Sequence, residues 1–173
     1  MPIRALGGHD DRSRFCSGEP DLDRFFQKYA GQNQFRHYIG TTYVFVEDDG
    51  LVTGYVTVAA GSIEIDDLPA LAQHALPRYP LPVLRIARLA VDRAHQGRGI
   101  GSVLLKFVLD LSVRMARDFG CVGVVVDAKP AAVKFYASLG FEALNAVEGH
   151  SGARPPPVIM FLPITDITAA AKR

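Results

Sequence analysis

The chain has 173 residues, enough for a sizeable core in one domain spanning 1–173, and 49% are hydrophobic, which excludes a disordered chain. A formal net charge of +1 excludes a chain wholly devoted to nucleic acid, and Cys16 and Cys121 have neither C-x-x-C nor metal-ligand spacing, so no metal is expected. The N-terminal "MPIRALGGHDDRSR" has no apolar core of a signal peptide, and "VIMFLPI" is far too short to span a bilayer, so the expectation is a soluble, cytoplasmic protein with no membrane contact.

In chain order, "IRAL" can start a strand. "SGEPDLDRFFQKYAGQ" reads as a helix, with Pro20 suited to a first turn, acids clustered early, and Leu22, Phe25, Phe26 and Tyr29 on one face. "TTYVFVED" and "LVTGYVTVAAGSIEI" are strands joined at Asp49-Gly50, a strong hairpin signal. "LPALAQHAL" reads as a short helix, and "PRYPLP" leads into a strand over 83–92. A long helix over 101–119 follows, with Val103, Leu104, Phe107, Val108 and Leu111 at helical spacing, ended near Gly120. Then come a buried strand over 121–128, opened by a core Cys121, and a short helix over 130–139 stopped by Gly140, with Val133, Phe135 and Leu139 reading as core. "FEALNA" reads as a strand, "EGHSGARPPP" as a loop and "VIMFLPI" as a last strand. An antiparallel meander preceding β-α-β-α-β predicts an α/β domain around one mixed sheet flanked by helices.

The chemistry concentrates at "RLAVDRAHQGRGIGSVLL". Three glycines, Gly97, Gly99 and Gly101, fall within five residues at the start of the long helix. Glycine permits φ > 0 and lets a ligand approach bare backbone, and a helix N-terminus offers unpaired N–H groups and a positive dipole end. One glycine would serve a plain strand-to-helix connection; three, with Arg98, point to an anion. No G-x-x-x-x-G-K-[ST] occurs, which excludes a P-loop, and Ser102 stands where a dinucleotide fingerprint needs its third glycine. Charge is uneven: six acids and no Lys or Arg lie from Glu47 to Asp67, whereas Arg78, Arg85, Arg88, Arg93 and Arg98 face only Asp92. That basic stretch is either scattered solvated charge or the contact for a polyanion beside the anion site.

Gln96-Gly97-Arg98-Gly99-Ile100-Gly101 resembles the acetyl-CoA motif [QR]-x-x-G-x-[GA] of the GNAT family of N-acetyltransferases. "AAVKFYASLGFEAL" resembles that family's A-x-x-F-Y-x-x-x-G-F at Ala132, Phe135, Tyr136, Gly140 and Phe141. Together they cover roughly 83–145; Lys129 departs from the Asn many members carry there. A narrower resemblance, through "FCSGEPDLDRFF", "YVTVAAGSI" and "RLAVDRAHQGRGIG", is to the acetyltransferase toxins of bacterial toxin–antitoxin pairs. These acetylate the amino acid on charged tRNA, stop translation, and pair with a small ribbon-helix-helix antitoxin.

The resemblance implies a GNAT fold and acetyl-CoA as donor, with its pyrophosphate on the backbone of Gln96, Gly97, Arg98, Gly99, Ile100, Gly101 and Ser102. Pantetheine would lie against the strand at Leu89, Ala90 and Val91, and an N–H there would receive the developing oxyanion, a contribution of ~3–4 kcal/mol. Tyr136 would be the general acid that protonates the departing thiolate; read alone, it is a tyrosine packing on the sheet. Arg78, Arg85, Arg88 and Arg93 would contact tRNA phosphates, with Lys28 and Arg36 beside them.

No general base stands out among His9, His37, His74, His95 and His150. A lysine amine is about 2.7 units harder to deprotonate than an α-amine, roughly 3.7 kcal/mol, so the lack of a base tilts toward an α-amine acceptor. Two other functions stay open on the residues: an acetyltransferase for a small-molecule or protein amine, whose arginines bind an acidic acceptor or pair with Asp and Glu, and a non-catalytic CoA-binding module. The oligomeric state, a homodimer among the options, is not legible.

Overall fold

The computed structural model describes residues 2–68, 73, 76–144 and 156–173. Strand β1 (Ile3–Ala5) is followed by α1 (Pro20–Arg24), α2 (Ala30–Gln32), β2 (Thr41–Val46), β3 (Val52–Ile63), β4 (Leu81–Val91) and α3 (Ile100–Asp118). Then come β5 (Gly123–Ala128), α4 (Val133–Ser138), β6 (Glu142–Ala143), β7 (Val158–Pro163) and α5 (Ile164–Ala171). The sheet has seven strands in the order β1-β2-β3-β4-β5-β7-β6. β1 to β3 form an antiparallel meander, and β7 runs antiparallel between β5 and β6. The connection from β4 to β5, its neighbour in the strand order, passes through α3. This is the mixed, helix-flanked α/β sheet that the sequence predicts.

The chain divides into two compact units, one of 1–59 and 86–110, the other of 60–85 and 111–173. In the first, the core is aromatic. Phe26 stacks on Tyr55 with centroids 4.3 Å apart, and Phe15 meets both rings edge-on. The buried Tyr55 hydroxyl donates to Leu22 O at 2.7 Å, satisfying the polar end of a core ring. Gly54 of β3 lets α3 approach: a Cβ there would lie 2.9 Å from Ile100 and 3.1 Å from Leu104. In the second, Leu81, Val83, Val125, Ile159 and Phe161 form an aliphatic-rich core.

Several details differ from the sequence reading. The first helix continues past Gln32 to His37 and widens twice into π-helical turns, over Phe25–Tyr29 and Asn33–His37. It ends on Tyr38, held at φ 54° and 85% exposed. In α3 the buried face runs through Leu104, Leu105, Val108, Ser112 and Met115, and Val103 is 44% exposed. In α4 the buried residue is Tyr136; Leu139 is 39% exposed. The strand read from "FEALNA" is ordered only as Glu142–Ala143, and α5 went unread in the sequence. Most of "LPALAQHAL" and "EGHSGARPPP", with His74 and His150, lies outside the described residues.

Candidate active site

In the first unit, β4 ends at Val91 and a 3-10 turn, Arg93–His95, leads into the glycine turn. Asp92 caps that turn: its Oδ1 accepts the Ala94 N–H at 3.1 Å and faces His95 Nδ1 at 3.2 Å. Burial pushes the Asp92 carboxyl up, but donors from the Cys16 amide, the His95 ring and the Ala94 amide outweigh it and leave it below the usual carboxylate range. Gly97 and Gly99 stand at φ 79° and 84°, which side chains rarely adopt, and no heavy atom lies within 4 Å of where their Cβ atoms would be. The glycines are therefore required by backbone conformation and leave open space beside it. Gly101, by contrast, is already inside α3. Val103 N–H bonds Gly99 O at 3.1 Å, so the amides of Ile100, Gly101 and Ser102 are first-turn donors with no intrahelical acceptor. An open, positive-φ turn feeding such amides fits a pyrophosphate.

The side chains around this turn are committed within the protein. Arg98 pairs with Glu47 at 3.2 Å, across to the β2–β3 hairpin. Gln96 Nε2 donates to Ser17 O at 2.9 Å and Val91 O at 3.0 Å. On β4 Ala90 is buried, while Leu89 and Val91 are half-buried. The motif thus offers backbone to a ligand and uses its polar side chains to hold shape.

In the second unit, Tyr136 sits on α4, a two-turn helix opened by Pro130–Ala132 and closed at Gly140. Its ring is 4% exposed and meets Phe135 at 5.1 Å and Phe141 at 5.5 Å, both edge-on. Burial raises the phenol above its usual value, so it stays protonated near neutral pH. Its hydroxyl makes no hydrogen bond to another described residue.

The four arginines do not form one free array. In the second unit, Arg85 Nη1 donates to both Asp127 oxygens at 2.9 and 3.0 Å, and Arg78 lies 3.7 Å from Asp66 with both side chains exposed. In the first unit, the Arg88 guanidinium stacks 4.3 Å over Phe25, and the Arg93 guanidinium lies against Gly18. Arg85 already has an intramolecular carboxylate on its Nη1. The pairings of Asp127 with Arg85 and of Asp92 with Cys16 escaped the sequence reading, because the partners lie 42 and 76 positions apart. No group of three metal-ligating side chains occurs among the described residues.

Comparison with known proteins bears on the family. Residues 39–143 match the model of the acetyltransferase (GNAT) domain. A tRNA-acetylating toxin of Mycobacterium tuberculosis (strain ATCC 25618 / H37Rv) is 38% identical over 141 residues, 80% of this chain and 82% of its own length. The structure of AtaT complexed with acetyl-methionyl-tRNAfMet is 27% identical, with a TM-score of 0.86 over 98% of both chains. A structure of AtaTR bound with AcCoA is also 27% identical, with a TM-score of 0.80 over 98% of this chain and 96% of the other. With the glycine turn and the tyrosine motif both inside the matched span, the chain belongs to the GNAT acetyltransferase family.

Proposed function

We propose that the protein transfers an acetyl group from acetyl-CoA to the α-amine of the amino acid on charged tRNA, and so blocks translation as a toxin in the cytoplasm. The observation that carries the donor half is the open turn at Gly97 and Gly99 running into unpaired α3 amides. Acetyl-CoA supplies an acyl thioester; the chain's part is to hold its pyrophosphate on the amides of 97–102 and its pantetheine along Leu89, Ala90 and Val91. Tyr136 holds the proton that the sulfur needs on departure. The acceptor half is supported by the 38% identical relative and by the tRNA bound to AtaT. As a toxin it would be silenced by a small antitoxin of the ribbon-helix-helix kind and act as a homodimer, with residues 1–173 as one catalytic domain.

One observation favours a second reading, acetylation of a small-molecule or protein amine: Arg78 and Arg85 face acids of their own chain, Asp66 and Asp127. Incubation with labelled acetyl-CoA and total charged tRNA separates the two. Label recovered on the aminoacyl group is expected; label only on amines other than aminoacyl-tRNA would overturn the tRNA reading.

A further inference from the structure

The segment before α1 is bound to the root of the glycine turn by a set of contacts that no catalytic role requires. Cys16 is joined by its backbone alone: its N–H donates to Asp92 Oδ2 at 3.1 Å, and its carbonyl accepts the Arg93 N–H at 2.7 Å. One residue on, Ser17 O accepts Gln96 Nε2 at 2.9 Å, while the same Gln96 nitrogen reaches back to Val91 O at 3.0 Å. Both partners of that nitrogen are carbonyls, so the amide orientation is fixed by the network. Gly18, at φ 95°, closes the joint: a Cβ would stand 2.7 Å from Arg93 Nη2. On its other side the segment is tied to the first helix. Ser17 donates from N and Oγ to Asp23 Oδ1 at 2.8 and 2.6 Å, and Gln27 Nε2 donates to Phe15 O at 2.8 Å.

We propose that Gln96, Asp92 and Gly18 form a latch that holds the glycine turn in its anion-binding shape by docking residues 15–18 against its root. Gln96 is then a positioning residue for acetyl-CoA, not a ligand to it. The turn needs such a brace. Two residues at positive φ with open space around them have no side-chain packing to select one conformation, and glycine is the most permissive residue at such positions. Gln96 supplies the missing constraint on one flank, since a single amide bridges the end of β4 and a segment 79 positions earlier. The latch also explains why "FCSGEPDLDRFF" accompanies "RLAVDRAHQGRGIG" in this chain: Cys16-Ser17-Gly18 and Asp92-Arg93-Gln96 are the two halves of one joint.

This inference rests on acetyl-CoA binding at the turn, and two measurements separate its failure from that of the binding site itself. Acetyl-CoA affinity is measured by calorimetry, and amide hydrogen exchange of residues 97–102 is followed without ligand. Gln96→Ala and Gly18→Ala are each expected to weaken acetyl-CoA by about tenfold, about 1.4 kcal/mol, and to speed exchange across the turn. They should raise the donor KM with kcat at saturating donor within about threefold, because neither residue serves the chemical step. Gln96→Arg, whose guanidinium can donate to the same two carbonyls, should restore both readouts. Gly18 lies nowhere in the motif, which makes it decisive. A folded Gly18→Ala with wild-type affinity and exchange overturns the latch, and loss in Gln96→Ala alone makes Gln96 a direct ligand. If wild type fails to bind acetyl-CoA, the exchange measurement still decides: unchanged exchange in both variants overturns the proposal, and faster exchange in both supports it.

Discussion

The glycine turn and the Tyr136 helix show two ways of making a site. At the turn the proposed working atoms are backbone amides, and the side chains there are absent (Gly97, Gly99) or turned to internal partners (Gln96, Arg98). At α4 the proposed working atom is a single phenol, and its backbone only delivers it between Phe135 and Phe141. A backbone site depends on conformation and is broken by adding a side chain; a side-chain site depends on one functional group and is broken by removing an atom. The variants below test that contrast, from the largest expected effect downward.

Removing one oxygen is expected to do most. Tyr136→Phe keeps the ring and its edge-on neighbours, so the fold and acetyl-CoA affinity should hold while kcat falls by about 10²–10⁴, the usual contribution of a general acid. Steady-state turnover on charged tRNA, with acetyl-CoA affinity as control, reads this out; a loss below about threefold would make Tyr136 a packing residue. Adding a side chain at the turn comes next. Valine at position 99 must adopt φ 84° or abandon it, at about 1–3 kcal/mol of strain, so Gly99→Val should weaken acetyl-CoA by tenfold or more. Its melting temperature should fall only by what that strain costs, about 2–4 °C per kcal/mol for a chain of this size, because no protein atom occupies the space beside Gly99.

The same contrast decides what the sequence could reveal. A glycine's identity encodes a backbone angle, so the turn was legible from Gly97 and Gly99 and the helix followed at nearly its true bounds. Which apolar residues face inward was not. In α3 the apolar residues extend round both sides of the stripe, and its inner row includes Ser112, wholly buried, which no hydrophobicity pattern selects. In the two turns of α4, Leu139 is the more apolar residue and Tyr136 the buried one, because ring contacts, not polarity, choose the face. Partners far apart in the chain were equally hidden: Arg85 with Asp127, and Gln96 with Ser17. The last helix begins directly after Pro163, and its threonines, poor helix formers, disguise it; Thr168 bonds back to Ile164 O at 3.0 Å.

Salt dependence sharpens the contrast among the arginines. An arginine that neutralises a tRNA phosphate releases counterions, so its removal should flatten the log–log salt slope of binding by roughly 0.7–0.9. Arg78, whose partner Asp66 is equally exposed and 3.7 Å away, is free to exchange a carboxylate for a phosphate. Arg85 is held by both oxygens of Asp127 and is not. Arg78→Ala should therefore change the slope and Arg85→Ala should leave it nearly unchanged, in tRNA binding measured from low to moderate salt. Equal slopes in both variants would remove the distinction.

The smallest effect belongs to the brace under the turn, and its sign follows from Asp92. The folded state holds this carboxyl below its ordinary value, because the Cys16 and Ala94 amides and the His95 ring outweigh the burial that pushes it up. A group depressed in this way adds stability above its unfolded pKa, near 3.9 for Asp, and loses it as pH falls through the folded value. From pH 8 to pH 5 Asp92 stays ionised and adds no pH dependence of its own to amide exchange in residues 97–102, once that exchange is corrected for its intrinsic pH dependence. Below about pH 4 the carboxyl takes up a proton, the two amides lose a charged acceptor, and the turn should open before the aromatic core of the same unit does. Asp92→Asn offers one carbonyl oxygen where two are used, so it should loosen the turn by a modest, pH-independent amount and abolish the acid limb. An acid limb of undiminished size in Asp92→Asn would assign it to other carboxylates, with Asp10, held down by Arg4, the first to examine.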